Sequence, residues 1–304
     1  MTGKFIDAHV HLVPAELLGT QNKRFGAEYL PYGYQRIPGG FGFHIMPPFI
    51  HDSQFTADTL VNMMDVYGVE KAVIQQSIIS EQNEVVAQAV EKYPDRLAGA
   101  MILEPAEDWK EQLIYWKSRG LTVIKFEMRA FSMAYPEVGY DHPWMEECMS
   151  LAEQQKLTVV FDPAPVNFPV YQPEKLEELV RRHPDLHVVI CHMAYPVPLE
   201  TEEDRMRWQQ MLKVAELPNC WMDLSAMPDF FDEEGWPYPT AGKLLKEVKQ
   251  KLGPEKFLWG TDLPETLCKA TYPQMQKMFS VSGAMTEEEL DMLYYQNAKA
   301  AYRL

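Results

Sequence analysis

The chain has 304 residues, 46% of them hydrophobic and 24% charged, a composition that supports a sizeable core and excludes a disordered chain. Its 28 Lys and Arg stand against 44 Asp and Glu, and the net charge of −16 repels phosphate backbones and anionic headgroups, so neither nucleic acid nor a membrane surface is an expected partner. The start carries no apolar leader and no later apolar run approaches the ~20 residues of a membrane span, so a cytoplasmic protein is expected. Cys148, Cys191, Cys220 and Cys268 form no C-x-x-C pair and read as buried thiols.

In chain order, β-rich apolar runs at 5–11, 71–77, 97–103, 121–127, 157–162, 187–192, 220–225 and 257–262 predict eight strands. Most intervening segments carry helical periodicity, as at 59–65 and 175–183. Nearly continuous apolar strands joined by helices imply a parallel sheet covered on both faces, and eight such units are the count of a (β/α)8 TIM barrel, here a single α/β domain over 1–304. An open doubly wound sheet is the alternative, but its G-x-G-x-x-G loop is missing where the first strand runs into Leu12-Val13-Pro14-Ala15. Residues 12–55 interrupt the alternation with 6 glycines, 5 prolines and 8 aromatics, which predicts a long insertion loop over the C-terminal face. It reads either as a lid over a small-molecule substrate or as an aromatic contact between copies in a homo-oligomer. Residues 286–302 predict a closing amphipathic helix.

The chemistry starts at Asp7-Ala8-His9-Val10-His11, whose polar residues alternate and so are expected on one face of the first strand, inside the barrel. Two imidazoles with a nearby carboxylate suit a divalent metal, zinc first and manganese second. His192 and Asp262 each end an apolar run where a barrel strand reaches the rim that carries catalytic groups. Asp162, at the end of the fifth run before Pro163, is either a further oxygen ligand or a turn residue. Glu127 and Arg129 follow the fourth run, with Lys125 on the same face as Glu127; Arg129, and Arg36 in the insertion, are candidates to hold a substrate carboxylate. Tyr195 and Trp144 are candidate pocket aromatics.

Asp7-Ala8-His9-Val10-His11, the His192 strand, residues 219–225, Gly260-Thr261-Asp262-Leu263-Pro264 and the closing residues 297–304 resemble the amidohydrolase superfamily. More narrowly they resemble its amidohydrolase-related group, which holds aminocarboxymuconate-semialdehyde decarboxylase, resorcylate decarboxylases and lactonases. The resemblance covers nearly the whole chain, least over 12–55. It implies that His9, His11 and Asp262 bind one metal and that His192 faces substrate. A histidine usual at the end of strand five is absent; the run Leu157-Thr158-Val159-Val160-Phe161-Asp162 stands there, so either Asp162 replaces it as an oxygen ligand, or the site binds metal weakly, or it needs none, as some lactonase relatives do.

Resemblance and residue chemistry together point to hydrolysis of a small cyclic ester or amide, carboxylate-bearing, by metal-activated water, with Asp262 taking the proton and His192 steadying the oxyanion. Non-oxidative decarboxylation of an aromatic or muconate-like acid is the alternative. A catalytically inactive barrel used for binding is the second.

Overall fold

The structure, a computed structural model, describes residues 4–39, 41–78 and 82–304; the extreme start, which bears on the expectation of no leader, and Gly40 of the insertion lie outside them. β1 (Phe5–Val10) comes first, and the insertion after it forms its own antiparallel sheet of β2 (Glu28–Leu30), β3 (Tyr34–Arg36) and β4 (Gly42–His44). β5 (Val69–Ile74), β6 (Leu97–Met101), β7 (Val123–Glu127), β8 (Thr158–Asp162), β9 (His187–Ile190), β10 (Cys220–Asp223) and β11 (Phe257–Leu258) follow β1 in one eight-stranded parallel sheet, each beside its predecessor. The expected TIM barrel is the observed fold.

The eighth run was expected as a strand as far as Asp262, but its ladder stops at Leu258. Beyond it the chain closes the barrel by separate bonds to β1: Ala8 N to Trp259 O at 2.9 Å, Asp262 N to His9 O at 2.8 Å and His11 N to Leu263 O at 2.7 Å. On its other side Trp259 N donates to Leu293 O, 3.0 Å away, at the π-helical turn Met292–Gln296. A π turn shifts the usual helical pairing, which leaves a carbonyl for such an outside donor. The expected C-terminal helix is therefore present over 287–301 with this turn in its middle.

Helices flank the barrel because their apolar stripes fall at helical spacing. The helix Ala57–Tyr67 is capped by Thr56, whose side chain accepts from Thr59 N, and stops at Gly68 in the left-handed region. It buries Leu60, Val61 and Met64, each worth about 1.5–3 kcal/mol when fully covered. Inside the barrel, Ile6, Ala8, Val73, Val123, Val160, Val189 and Leu258 share one apolar cluster with Ala298, Ala301 and Tyr302. The lower end is tied to the C-terminus: Thr158 Oγ1 donates to Ala301 O at 2.8 Å, and Gln75 Nε2 to Tyr302 Oη at 3.1 Å. Polar groups are thus left to the upper, C-terminal mouth. Among the described residues no helix is long and apolar enough to cross a membrane. Three cysteines are buried as expected, whereas Cys268 is only half-buried, in a short turn near the mouth.

Candidate active site

Strand alternation puts Ile6 and Ala8 inside the barrel, so Asp7 between them faces out, contrary to the expectation that it shares a face with both histidines. Its carboxylate accepts from Thr261 N at 2.9 Å, Thr261 Oγ1 at 2.7 Å and Tyr272 Oη at 2.9 Å, and burial pushes it up to about 7 against those bonds. The β1–β5 register is irregular between Asp7 and Val10, and a shift of this kind re-aims side chains. It brings His9 into the mouth beside His11.

His9 Nε2 lies 3.2 Å from His11 Nε2 and 3.5 Å from Asp262 Oδ1, and His11 Nε2 lies 3.1 Å from the same oxygen. A tetrahedral ion with ligand bonds near 2.0–2.1 Å needs ligand edges of about 3.3–3.4 Å, so this triangle fits a divalent metal. The opposite ring nitrogen, His9 Nδ1, donates to Asp223 Oδ2 at 3.0 Å, which leaves Nε2 as the lone-pair donor. Burial and the Lys125 charge hold His9 below the usual imidazole range and His11 down to about 4, so both are neutral near pH 7. Burial opposes ionisation of Asp262, but the His11 hydrogen bond and the surrounding imidazoles outweigh it and hold the carboxylate well below its ordinary range. Gly260 makes the arrangement possible: a Cβ there would lie 2.9 Å from His9 Cβ and 3.2 Å from Ser225 Cβ. Lys125 Nζ stands 3.3 Å from His9 Nε2 and addresses the same lone pair as a bound ion would. A second potential donor cluster, His9, Cys191 and His192, is wholly buried, and the Nδ1 atoms of both imidazoles already face Ser225 Oγ.

Asp162 is outside the triangle. Its Oδ1 accepts from Tyr195 Oη at 2.8 Å and from Ala164 N at 3.3 Å, while Oδ2 lies 3.6 Å from His192 Nε2. Burial works against both charges of this pair, yet the attraction between them prevails: Asp162 is held down to about 2 and His192 raised to about 9, helped by Asp262 and Asp223. His192 to Tyr195 have φ of 57, 50, 56 and 58°, one turn of left-handed helix without a glycine. Such a turn costs about 1–2 kcal/mol per residue for L side chains.

Of these groups His11, Lys125, Asp162, His192 and Asp262 line a cavity of about 360 Å³ at the barrel mouth, the size of a small-molecule site, with His9 buried behind them. Glu127, Arg129 and Tyr195 line it as well. Glu127 accepts from Ser77 Oγ, and burial together with Asp162 raises its pKa. The Arg129 guanidinium lies 4.7 Å from the centre of the Phe168 ring and has no carboxylate partner among the described residues. Arg36 is not brought to the cavity: it pairs with Glu28 across the insertion sheet, and alternation directs its neighbour Gln35 inward instead. Trp144 is likewise elsewhere, packed on Phe126, Phe131 and Trp109. The insertion supplies an apolar wall through Leu12, Leu17, Tyr29, Phe43 and Ile45.

Lys125, Asp223 and Ser225 were missed as site residues. Lys125 was signalled by sharing a strand face with Glu127, and Ser225 by ending the run 220–225 as Asp162 and Asp262 end theirs; Asp223 ends β10 itself.

The profile of the family described as amidohydrolase matches residues 6–304. A probable 2-pyrone-4,6-dicarboxylic acid hydrolase from Acinetobacter baumannii, solved with citric acid bound, shares the fold at TM-score 0.70 and 17% identity over 100% of both chains. A Burkholderia multivorans amidohydrolase with bound zinc shares it at TM-score 0.71 and 15% identity over 99% of both. A 2,6-dihydroxybenzoate decarboxylase from Rhizobium shares it at TM-score 0.58 and 15% identity over 82% of this chain and 89% of its own. No curated protein matches. With the family profile spanning the barrel from β1 to the last residue, and with it every group at the mouth, the chain belongs to the amidohydrolase family.

Proposed function

We propose that the protein is a metal-dependent hydrolase that opens a small cyclic ester or amide carrying one anionic group. One observation carries the reading: a single cavity holds a cation-sized triangle of two neutral imidazoles and a carboxylate, and across from it an imidazole held protonated. His9, His11 and Asp262 would hold one divalent ion, and the zinc of the Burkholderia multivorans relative supports zinc over manganese. Such an ion supplies a water whose pKa falls toward ~7.

The chain's own residues do the rest. Asp262, ionised through the neutral range, accepts the proton of the attacking water. His192 Nε2 keeps its proton below about pH 9 and donates to the carbonyl oxygen as charge builds there, with Asp162 holding the ring in place. Arg129 offers a guanidinium free to bind one carboxylate. Asp162 and Asp262, both held ionised, line the cavity, so a second anionic group would meet repulsion, whereas burial raises Glu127 and lifts Glu265 to about 8. The apolar insertion wall covers the remainder of the ring and excludes water.

Elemental analysis of freshly purified protein should find close to one zinc equivalent, and a chelator should abolish turnover. A panel of small lactones and hydroxybenzoates separates the reaction classes: ring opening without carbon dioxide is expected. Full activity after metal removal, or stoichiometric carbon dioxide from the best substrate, overturns the reading in favour of metal-free hydrolysis or decarboxylation respectively.

A further inference from the structure

His192 and Tyr195 meet on Asp162 only because the backbone between them runs the wrong way round. The segment is tightly wound, with Ala194 N donating to Cys191 O and Tyr195 N to His192 O, both at 2.9 Å. At three residues per turn, positions i and i+3 lie one above the other. His192 and Tyr195 therefore share a face, their ring centres 5.3 Å apart, and both reach Asp162. Met193 and Ala194, between them, are buried in the outer core.

A left-handed turn of His, Met, Ala and Tyr has no intrinsic preference for itself, since none of these residues gains what glycine gains at positive φ. Something outside the turn must hold it. Two buried aromatic donors do so: Tyr171 Oη donates to Ala194 O and Trp208 Nε1 to Met193 O, each at 3.0 Å. Tyr171 is fully buried in the segment after β8, and Trp208 lies in the helix Glu202–Val214. Neither residue lines the cavity. The entry to the turn is fixed from a third side, where Asp223 Oδ1 accepts from His192 N at 2.9 Å.

We propose that Tyr171 and Trp208 are positioning residues of the active site, acting through the carbonyls of Ala194 and Met193 to keep the strained turn wound so that His192 and Tyr195 stay aimed at Asp162. The catalytic part of this inference rests on the hydrolytic reading above; the conformational part does not. Without the clamps the turn relaxes toward ordinary backbone angles, and the two side chains leave their common face.

The test uses Tyr171→Phe and Trp208→Phe, with Tyr294→Phe as control because Tyr294 makes the same kind of buried bond, to Gln276 O at 2.6 Å, outside the site. Both clamp variants should lose about ten- to a hundredfold in kcat with KM changed less than about threefold, and the amides of 192–195 should exchange faster while the barrel strands do not. Tyr294→Phe should lose comparable stability and keep its kcat. Adding Ala194→Gly to Tyr171→Phe should recover most of the lost kcat, because glycine removes the penalty the clamp offsets. Unchanged exchange at 192–195, unchanged kcat in both clamp variants, or an equal loss in Tyr294→Phe overturns the proposal. If the wild-type protein opens no lactone or amide, the hydrolytic reading fails, and exchange in the clamp variants then decides the positioning role by itself.

Discussion

His9 and His11 on one side of the cavity, and His192 on the other, are the same side chain under opposite control. The rings of His9 and His192 are 4.7 Å apart, and both residues are buried, whereas His11 is partly exposed. On the β1 side burial and Lys125 win, and the rings stay neutral, the form that donates a lone pair to a metal. On the β9 side the pairing with Asp162, with Asp262 and Asp223 behind it, outweighs burial, and the ring stays charged, the form that donates a proton. The two sides also differ in backbone. The triangle hangs on strand ends brought close by Gly260, whereas the His192 side depends on a strained turn held by remote donors. Residue type sets what each histidine can do, and its neighbours choose which of the two it does.

The sharpest way to break the contrast is Asp262→Asn, since Asp262 serves the triangle and also helps charge His192. We expect kcat to fall by about 10²–10⁴ with KM little changed, because an amide keeps the shape and one oxygen but takes no proton. Steady-state kinetics beside a melting curve check this: wild-type kcat in a less stable variant would reduce Asp262 to a structural residue.

Asp162→Asn should disturb only the charged side. In the wild type His192 titrates at about 9 instead of the usual 6.5, so its contribution to stability is complete below about pH 6.5 and is lost as pH rises through 9. The kcat profile should fall over the same alkaline limb. In the variant that limb should move toward neutral pH and kcat at pH 7 should drop about ten- to a hundredfold, while metal content stays the same. For His11, lowered to about 4, the sign reverses: the unfolded chain binds a proton near 6.5 and the folded one does not, so stability falls as pH drops from there toward 4. An alkaline limb that does not move in Asp162→Asn would show that Asp162 does not control His192.

The smallest effect on activity is expected for Asp7→Asn. Asp7 neighbours the triangle in sequence but bonds Thr261 and Tyr272 outside it, so the change should alter stability by about 1–3 kcal/mol and leave metal stoichiometry unchanged. Because Asp7 is pushed up to about 7, the folded state keeps a proton that the unfolded chain has already lost, so the wild type loses stability as pH rises from about 4 to 7 while Asp7→Asn does not, and the wild type's advantage should shrink over that range. Loss of metal in Asp7→Asn would return it to the site.

What could be read without a structure was set by local pattern. Eight apolar runs separated by helical segments specify a barrel, because strands covered on both faces must be apolar throughout. The same logic marks His9, His11, His192 and Asp262, polar groups where those runs reach the rim. Relations between distant segments were decided only by tertiary structure. A register irregularity turned Asp7 away from the histidines; pairing with Glu28 took Arg36 out of the cavity; and Asp162 came to face His192 and Tyr195 instead of the triangle. The left-handed turn is the clearest case. Nothing in His-Met-Ala-Tyr favours positive φ, and the donors that hold it, Tyr171 and Trp208, come from elsewhere in the chain. Sequence periodicity records which face of an element is buried, because that is a property of neighbours along the chain; which charge or carbonyl a side chain meets depends on groups tens or hundreds of residues away, and only the closed barrel brings them together.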